Sequence, residues 1–351
     1  MTNPYLNRPE NSFWKPAVAS KEWTELVPIS NRIPLIQKGS SIAAAGSCFA
    51  QKVANYIKSN EAINFLELET VSAGQPVYSA RYGNIYTTRQ LLELVEEVIH
   101  GEADQSCAVR REDGRFVDVF RPFVIEEGFS SADAVIQSRT EHLDIVYKMF
   151  TEADVFVFTL GLTEAWISKE TGRTFPVCPG IYTSEVDSKF VNYNFQTILS
   201  DLNKCIDKIN SINPDLQVIL TVSPVPLTAT YTDQHVLEAT TYSKSVLRTV
   251  CGEIISNYSH VHYFPSYEIV VNPYRNGCAF EDNKRAVKQD VVDVVMATFE
   301  HGFLEENIHI ISSELIASAS NVRPIKLPND KAPAEDDPVC DDVKIEKSIG
   351  F

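Results

Sequence analysis

The sequence predicts an α/β fold built on a five-stranded parallel sheet. Short apolar runs alternate with stretches of helical period along the chain, the pattern of strand–helix units. The run Asp154-Val155-Phe156-Val157-Phe158-Thr159-Leu160 is apolar on both faces, as a central strand covered on both sides must be. Two of the strands end in glycine turns, at Gly46 and Gly161.

Residues 1–40 are rich in proline and tryptophan, including Pro4, Pro9, Trp14, Pro16, Trp23, Pro28 and Pro34, and read as an extended arm. Residues 41–45 form a short buried strand whose small side chains require close neighbours. Gly46 permits a sharp turn that a Cβ would resist, and a helix starts at Ser47 with Phe49, Val53, Tyr56 and Ile57 near helical spacing. Residues 62–68 are the second strand. Residues 77–87 form a loop containing Tyr82-Gly83-Asn84. The next helix begins at Thr87, whose spacing to Gln90 is that of a capping box, and carries Leu91, Leu92, Val95 and Val98 as an apolar stripe.

A hairpin is centred on Asp113-Gly114, and residues 131–152 form another amphipathic helix. After the central strand a long loop runs to about Asn192. A helix follows with Ile198, Leu202, Cys205 and Ile209 on one face, then a strand over 216–222, a helix over 236–258, a fifth strand over 261–264 and a last helix over 287–303. Residues 321–351 are acidic and proline-rich and read as a disordered tail, which leaves residues 1–320 as a single domain.

Five such strands fit the flavodoxin-like order 2-1-3-4-5. That order makes the first and third strands neighbours and opens a crevice at their carboxyl ends. Ser47 and the turn Gly161-Leu162-Thr163-Glu164 both fall at that crevice. A hydroxyl at a helix N-terminus sits among unpaired N–H groups that favour developing negative charge, a suitable place for a nucleophile. The same position equally suits a serine that only caps its helix.

The chain has 351 residues, 44% of them hydrophobic and 22% charged, the composition of a soluble globular protein. It contains no apolar run of about 18 residues, so no membrane insertion is expected. The N-terminus lacks a basic segment followed by an apolar one, so no secretory signal is expected. Seven cysteines without CxxC or paired spacing fit free thiols, and the expected location is cytoplasmic. A formal charge of −16 argues against a nucleic-acid partner. No HxH, HExxH or Cys–His cluster has metal spacing, so neither metal nor cofactor is expected. Nothing in the sequence sets an oligomeric state.

Gly46-Ser47-Cys48-Phe49-Ala50 spells the name-giving motif of the GSCFA family, which is related to the SGNH (GDSL-like) esterases and acylhydrolases. The chain resembles that family over most of residues 1–305. The likeness includes Asn3-Pro4-Tyr5, Tyr82-Gly83-Asn84-Ile85-Tyr86, the turn at 161–166, Thr221-Val222-Ser223-Pro224-Val225 and Tyr263-Phe264-Pro265-Ser266-Tyr267-Glu268. The resemblance implies an SGNH-type three-layer fold with a helical insertion after strand two, and an esterase-like site. In that site Ser47 would be the nucleophile and its own N–H part of an oxyanion hole. Gly83 and Asn84 would supply a second donor, and Thr163 stands where the SGNH pattern has asparagine.

The pattern's Asp-x-x-His falls on Asp282-Asn283-Lys284-Arg285, with Arg285 where the base is expected. Arginine stays protonated and cannot take a proton from serine, and a serine without an adjacent base is a poor nucleophile. His235, after strand four and shortly before Glu238, is the substitute base; it equally reads as an exposed histidine at a helix start. Cys48 is the rival nucleophile, or a small core hydrophobe. Glu164 would orient a histidine or act as an acid, or would simply favour a helix N-terminus. Tyr242 and Lys244 either line the cleft or lie on a helix surface.

The resemblance thus implies a serine esterase or O-acyltransferase acting on an acyl ester, above all an acetyl ester, of a carbohydrate or other polar small molecule. The alternative is a non-catalytic glycan- or acyl-binding protein that has lost its base.

Overall fold

A computed structural model describes residues 3–69, 77–274 and 278–308. The expected tail from residue 321 lies outside the described residues. The described chain falls into two compact units, one of residues 39–263 and one of residues 3–38 with 264–308.

The larger unit begins with strand β1 (Ser41–Gly46), helix α1 (Cys48–Ser59) and strand β2 (Asn64–Phe65). Helix α2 (Thr88–His100), a hairpin of β3 (Ala108–Arg110) and β4 (Phe116–Asp118), and helix α3 (Ala132–Glu152) are inserted before the central strand β5 (Val155–Leu160). A small antiparallel sheet follows, from β6 (Glu164–Ser168), β7 (Thr174–Phe175) and β8 (Ser188–Asn192). Helix α4 (Phe195–Ile212), β9 (Gln217–Val222), α5 (Val236–Asn257) and β10 (Val261–Phe264) complete the series. The main sheet runs β2-β1-β5-β9-β10, which in chain order is the expected 2-1-3-4-5. The fold is α/β with a five-stranded parallel sheet, as the sequence predicts.

Local chemistry explains the elements. The capping box at α2 forms as its spacing implies: Thr87 Oγ1 accepts from the Gln90 amide at 3.2 Å, and Gln90 Oε1 accepts from the Thr87 amide at 3.0 Å. All six residues of β5 are buried, and so are Ile42, Ala43, Ala44 and Ala45 of β1. The second strand is shorter than expected, two residues in place of seven.

The long loop expected before Asn192 is instead the β6–β8 sheet. Strands β6 and β8 are half-buried, β7 is only two residues long, and the three mix Lys, Ser, Thr and Trp, so they lack the apolar run that announces the central strands.

The smaller unit has its own ties. The Ile36 amide donates to the Phe303 carbonyl at 2.9 Å, and Arg32 pairs with Glu306 at 2.6 Å. Helices α6 (Ser266–Val270) and α7 (Gln289–Phe303) follow β10, and Phe264, Phe299 and Phe303 pack edge to face or tilted. The N-terminal arm carries short turns at Glu10–Ser12, Lys15–Ala19 and Trp23–Glu25.

Candidate active site

The site forms where β1 and β5 end. Gly46 has φ +141°, in the region that favours glycine, and a Cβ there would stand 2.5 Å from the Thr159 carbonyl oxygen. The chain therefore leaves β1 flush against β5. The next residue, Ser47, takes the N-cap position of α1 with extended dihedrals, φ −73° and ψ 176°. Its side chain makes no capping bond. The Oγ is buried and has no hydrogen-bond partner among the described residues. Capping is thus not what this hydroxyl does. A buried hydroxyl left unpaired costs stability.

Gly161 closes the other side of the turn. A Cβ on it would lie 3.0 Å from both Ser47 Cβ and the Tyr86 carbonyl oxygen. The Gly161 and Leu162 amides both donate to that Tyr86 oxygen, at 2.9 and 3.1 Å. The Gly161 carbonyl accepts from Lys244 Nζ at 2.6 Å. Lys244 is buried on α5, in helical phase with Leu247, Cys251 and Ile254. A lysine on an apolar stripe is the signal by which the sequence marks this residue as more than a surface charge.

These groups meet in one cavity of about 560 Å³, lined by Ser47, Cys48, Tyr86, Gly161, Glu164 and Lys244 among others. Much of its remaining wall comes from β6, β7, the chain after β7, and the segment after β9, residues 223–231. Glu164 fixes that last segment: its Oε1 accepts from Thr230 Oγ1 at 2.6 Å and its Oε2 from the Tyr231 amide at 3.1 Å.

The wall carrying Phe175 is braced by buried and half-buried ion pairs. Arg139 binds Glu97 at 2.6 Å and Asp118 at 3.2 Å, and Arg173 binds Glu97 and Asp104, both at 2.9 Å. Burial pushes the Asp118 carboxyl up, but Arg139 and Arg121 outweigh it and hold it at about 2.

A GSCFA family model matches residues 41–299. The chain belongs to the GSCFA family. Among solved structures, the GSCFA chain resembles a family 3 carbohydrate esterase from Clostridium thermocellum (11% identity, TM-score 0.27, covering 75% of this chain and 94% of that one). It also resembles a family 3 carbohydrate esterase from Talaromyces cellulolyticus (11%, TM-score 0.28, covering 81% and 100%). No curated protein matches it.

The structure places the other expected site residues of this GSCFA chain less simply. The Ser47 amide donates to the Thr159 carbonyl at 3.1 Å, extending the β1–β5 ladder, so it is engaged rather than open to an oxyanion. Thr163 is fully buried; its amide donates to Ser243 Oγ at 3.0 Å and its hydroxyl to Asn192 Oδ1 at 2.7 Å, and it does not line the cavity. Asn84 lies behind the turn, its Oδ1 accepting from Tyr78 Oη at 2.7 Å and Gln51 Nε2 at 3.2 Å. Gly83, at φ +72°, precedes it in the same loop and does not line the cavity either.

His235 is exposed and caps α5, Nδ1 accepting from the Leu237 amide at 3.1 Å. It does not line the cavity, because helix capping holds it at the water-facing start of α5. Asp282 and Arg285 belong to the smaller unit, in a turn where the Arg285 amide donates to Asn283 Oδ1 at 2.9 Å. Cys48 and Glu164 are brought into the cavity with Ser47.

Among the described residues no group of three or more His, Cys, Asp or Glu is placed to hold a metal ion, and no helix is long and apolar enough to cross a membrane.

Proposed function

We propose that this GSCFA protein is a serine ester hydrolase or acyltransferase whose nucleophile is Ser47. The observation that carries the reading is the buried, unbonded Ser47 Oγ beside a large cavity at the crevice of a 2-1-3-4-5 sheet. Ser47 Oγ attacks the acyl carbonyl carbon and forms the new C–O bond. Negative charge on the carbonyl oxygen is met by the N–H groups of Cys48 and Phe49, which begin α1 and have no intrahelical acceptor.

Lys244 is the basic side chain lining the cavity. In its neutral form it takes the Oγ proton, directly or through one water, and returns it to the departing alkoxide. Water or a second alcohol then attacks the acyl-serine, regenerating the hydroxyl. The Oγ is occluded from solvent, so an entering carbonyl must part the wall around it.

Hydrolysis of an aryl ester by the purified protein tests this. Ser47→Ala and Lys244→Met should each lower kcat by at least about a hundredfold. Lys244→Arg should fail to rescue, since arginine cannot accept the proton. Loss in Ser47→Ala with full activity in Lys244→Met would remove Lys244 and keep the nucleophile.

A second reading is an acyl-binding protein without turnover. It is favoured by Arg285 at the expected base position and by the engaged Ser47 amide and Thr163 hydroxyl. Ligand binding with no turnover of any ester selects it.

A further inference from the structure

The cavity beside Ser47 is built for hydrocarbon. Its walls include Leu162, Trp166, Val177, Ile181, Val225 and Leu227, and its charged side chains are confined to Lys244 and Glu164. Lys244 Nζ is tied to the Gly161 carbonyl, and both carboxylate oxygens of Glu164 are engaged by the 230–231 segment. Gln90, Ser223 and Thr228 add polar side chains to the wall, but apolar ones outnumber them, so an alkyl chain buries more matching surface there than a sugar does.

Size decides between short and long acyl groups. The cavity, of about 560 Å³, offers far more room than the two carbons of an acetyl group occupy. Three rings stand together beside the apolar wall: Trp166 lies 4.7 Å from Tyr231 and 5.9 Å from Phe190, and Tyr231 lies 5.2 Å from Phe190, centroid to centroid. Tyr231 is 67% exposed, so this aromatic group reaches the solvent side of the cavity.

From this we infer that the cavity takes the acyl part of the substrate, and that this acyl part is an aliphatic chain of about eight carbons or more rather than acetyl. The inference rests on the Ser47 reading for the position of the ester, but the apolar walls and the volume stand without it. The expected acetyl preference is thereby replaced on the strength of the cavity itself.

The test is a series of p-nitrophenyl esters from acetate to dodecanoate, below their micellar concentrations, with calorimetric titration of Ser47→Ala by decanoate and by acetate. Each buried methylene favours binding by up to about fourfold. The expected kcat/KM for decanoate therefore exceeds that for acetate at least about tenfold, and Ser47→Ala binds decanoate but not acetate. Ala165→Phe and Leu162→Phe, which place bulk in the cavity, should each lower the decanoate-to-acetate ratio of kcat/KM by about tenfold or more. Using both guards against one variant misfolding.

Acetate as the preferred ester, or filling variants that leave the ratio unchanged, would overturn the inference. Absence of turnover on every ester would instead remove the Ser47 chemistry. In that event decanoate binding upholds the acyl cavity and its absence refutes it.

Discussion

Gly46 lies so close to Thr159 that a Cβ added to it would stand 2.5 Å from the Thr159 carbonyl oxygen and 2.7 Å from the Thr159 amide nitrogen. Both clashes are with backbone, and the residue is at φ +141°. Neither can be relieved by rotating a side chain. Gly46→Ala should therefore destabilise the fold by about 2 kcal/mol or more, read as a lowered midpoint in urea unfolding. A midpoint equal to the parent's would show that β1 and β5 do not approach as described.

Ser47→Ala should separate stability from activity. Removing a buried hydroxyl that has no partner relieves a penalty of about 1–3 kcal/mol, so the variant should be as stable as the parent or more so while losing ester turnover. Thermal denaturation beside the aryl-ester assay measures both. Clear destabilisation would mean that the hydroxyl is bonded after all and serves the fold.

Arg139 joins α2 to the hairpin by binding Glu97 and Asp118 at once. Truncating it would leave two buried carboxylates without their shared cation. Arg139→Ala should cost about 3–5 kcal/mol in chemical denaturation. A loss below about 1 kcal/mol would show that Arg121 and Arg173 suffice for the cluster.

Acid sensitivity should trace to His142. Burial, aided by Arg121, lowers this histidine from its ordinary 6.5 to about 4, against the Glu69 carboxylate 2.5 Å from its Nδ1. The folded protein therefore keeps the ring neutral where the unfolded chain protonates it. Stability is full above pH 6.5 and falls as the pH is lowered from about 6.5 to about 4, by about 2–4 kcal/mol in all. Asp118, held at about 2 against an ordinary 3.8, adds its own loss only at lower pH. Urea unfolding at a series of pH values should show this slope in the parent and lose it in His142→Asn. The same slope in both proteins would assign it elsewhere.

The sheet order was legible because each central strand carries its own apolar run and each following helix its own stripe. The Thr87–Gln90 capping box and the hairpin at Asp113-Gly114 were legible for a similar reason: their information is local. The β6–β8 sheet was not, since β6 and β8 are half-buried and β7 has only two residues, and the ring cluster of Trp166, Phe190 and Tyr231 depends on that sheet. In the site, the position of Ser47 followed from strand, glycine and helix in sequence. The hydrogen bonds of Thr163 and the Ser47 amide did not, because Asn192 and Thr159 come from other strands. His235 had the expected position along the chain but caps α5, while Lys244, nine residues on, is buried in the cavity.

Reaction with a fluorophosphonate, followed by intact mass and peptide mapping, tests the central claim most directly. The account predicts one adduct per chain, on Ser47, and none in Ser47→Ala. Ester turnover that persists in a protein carrying no adduct, or an adduct mapped to Cys48 or to another residue, would contradict it.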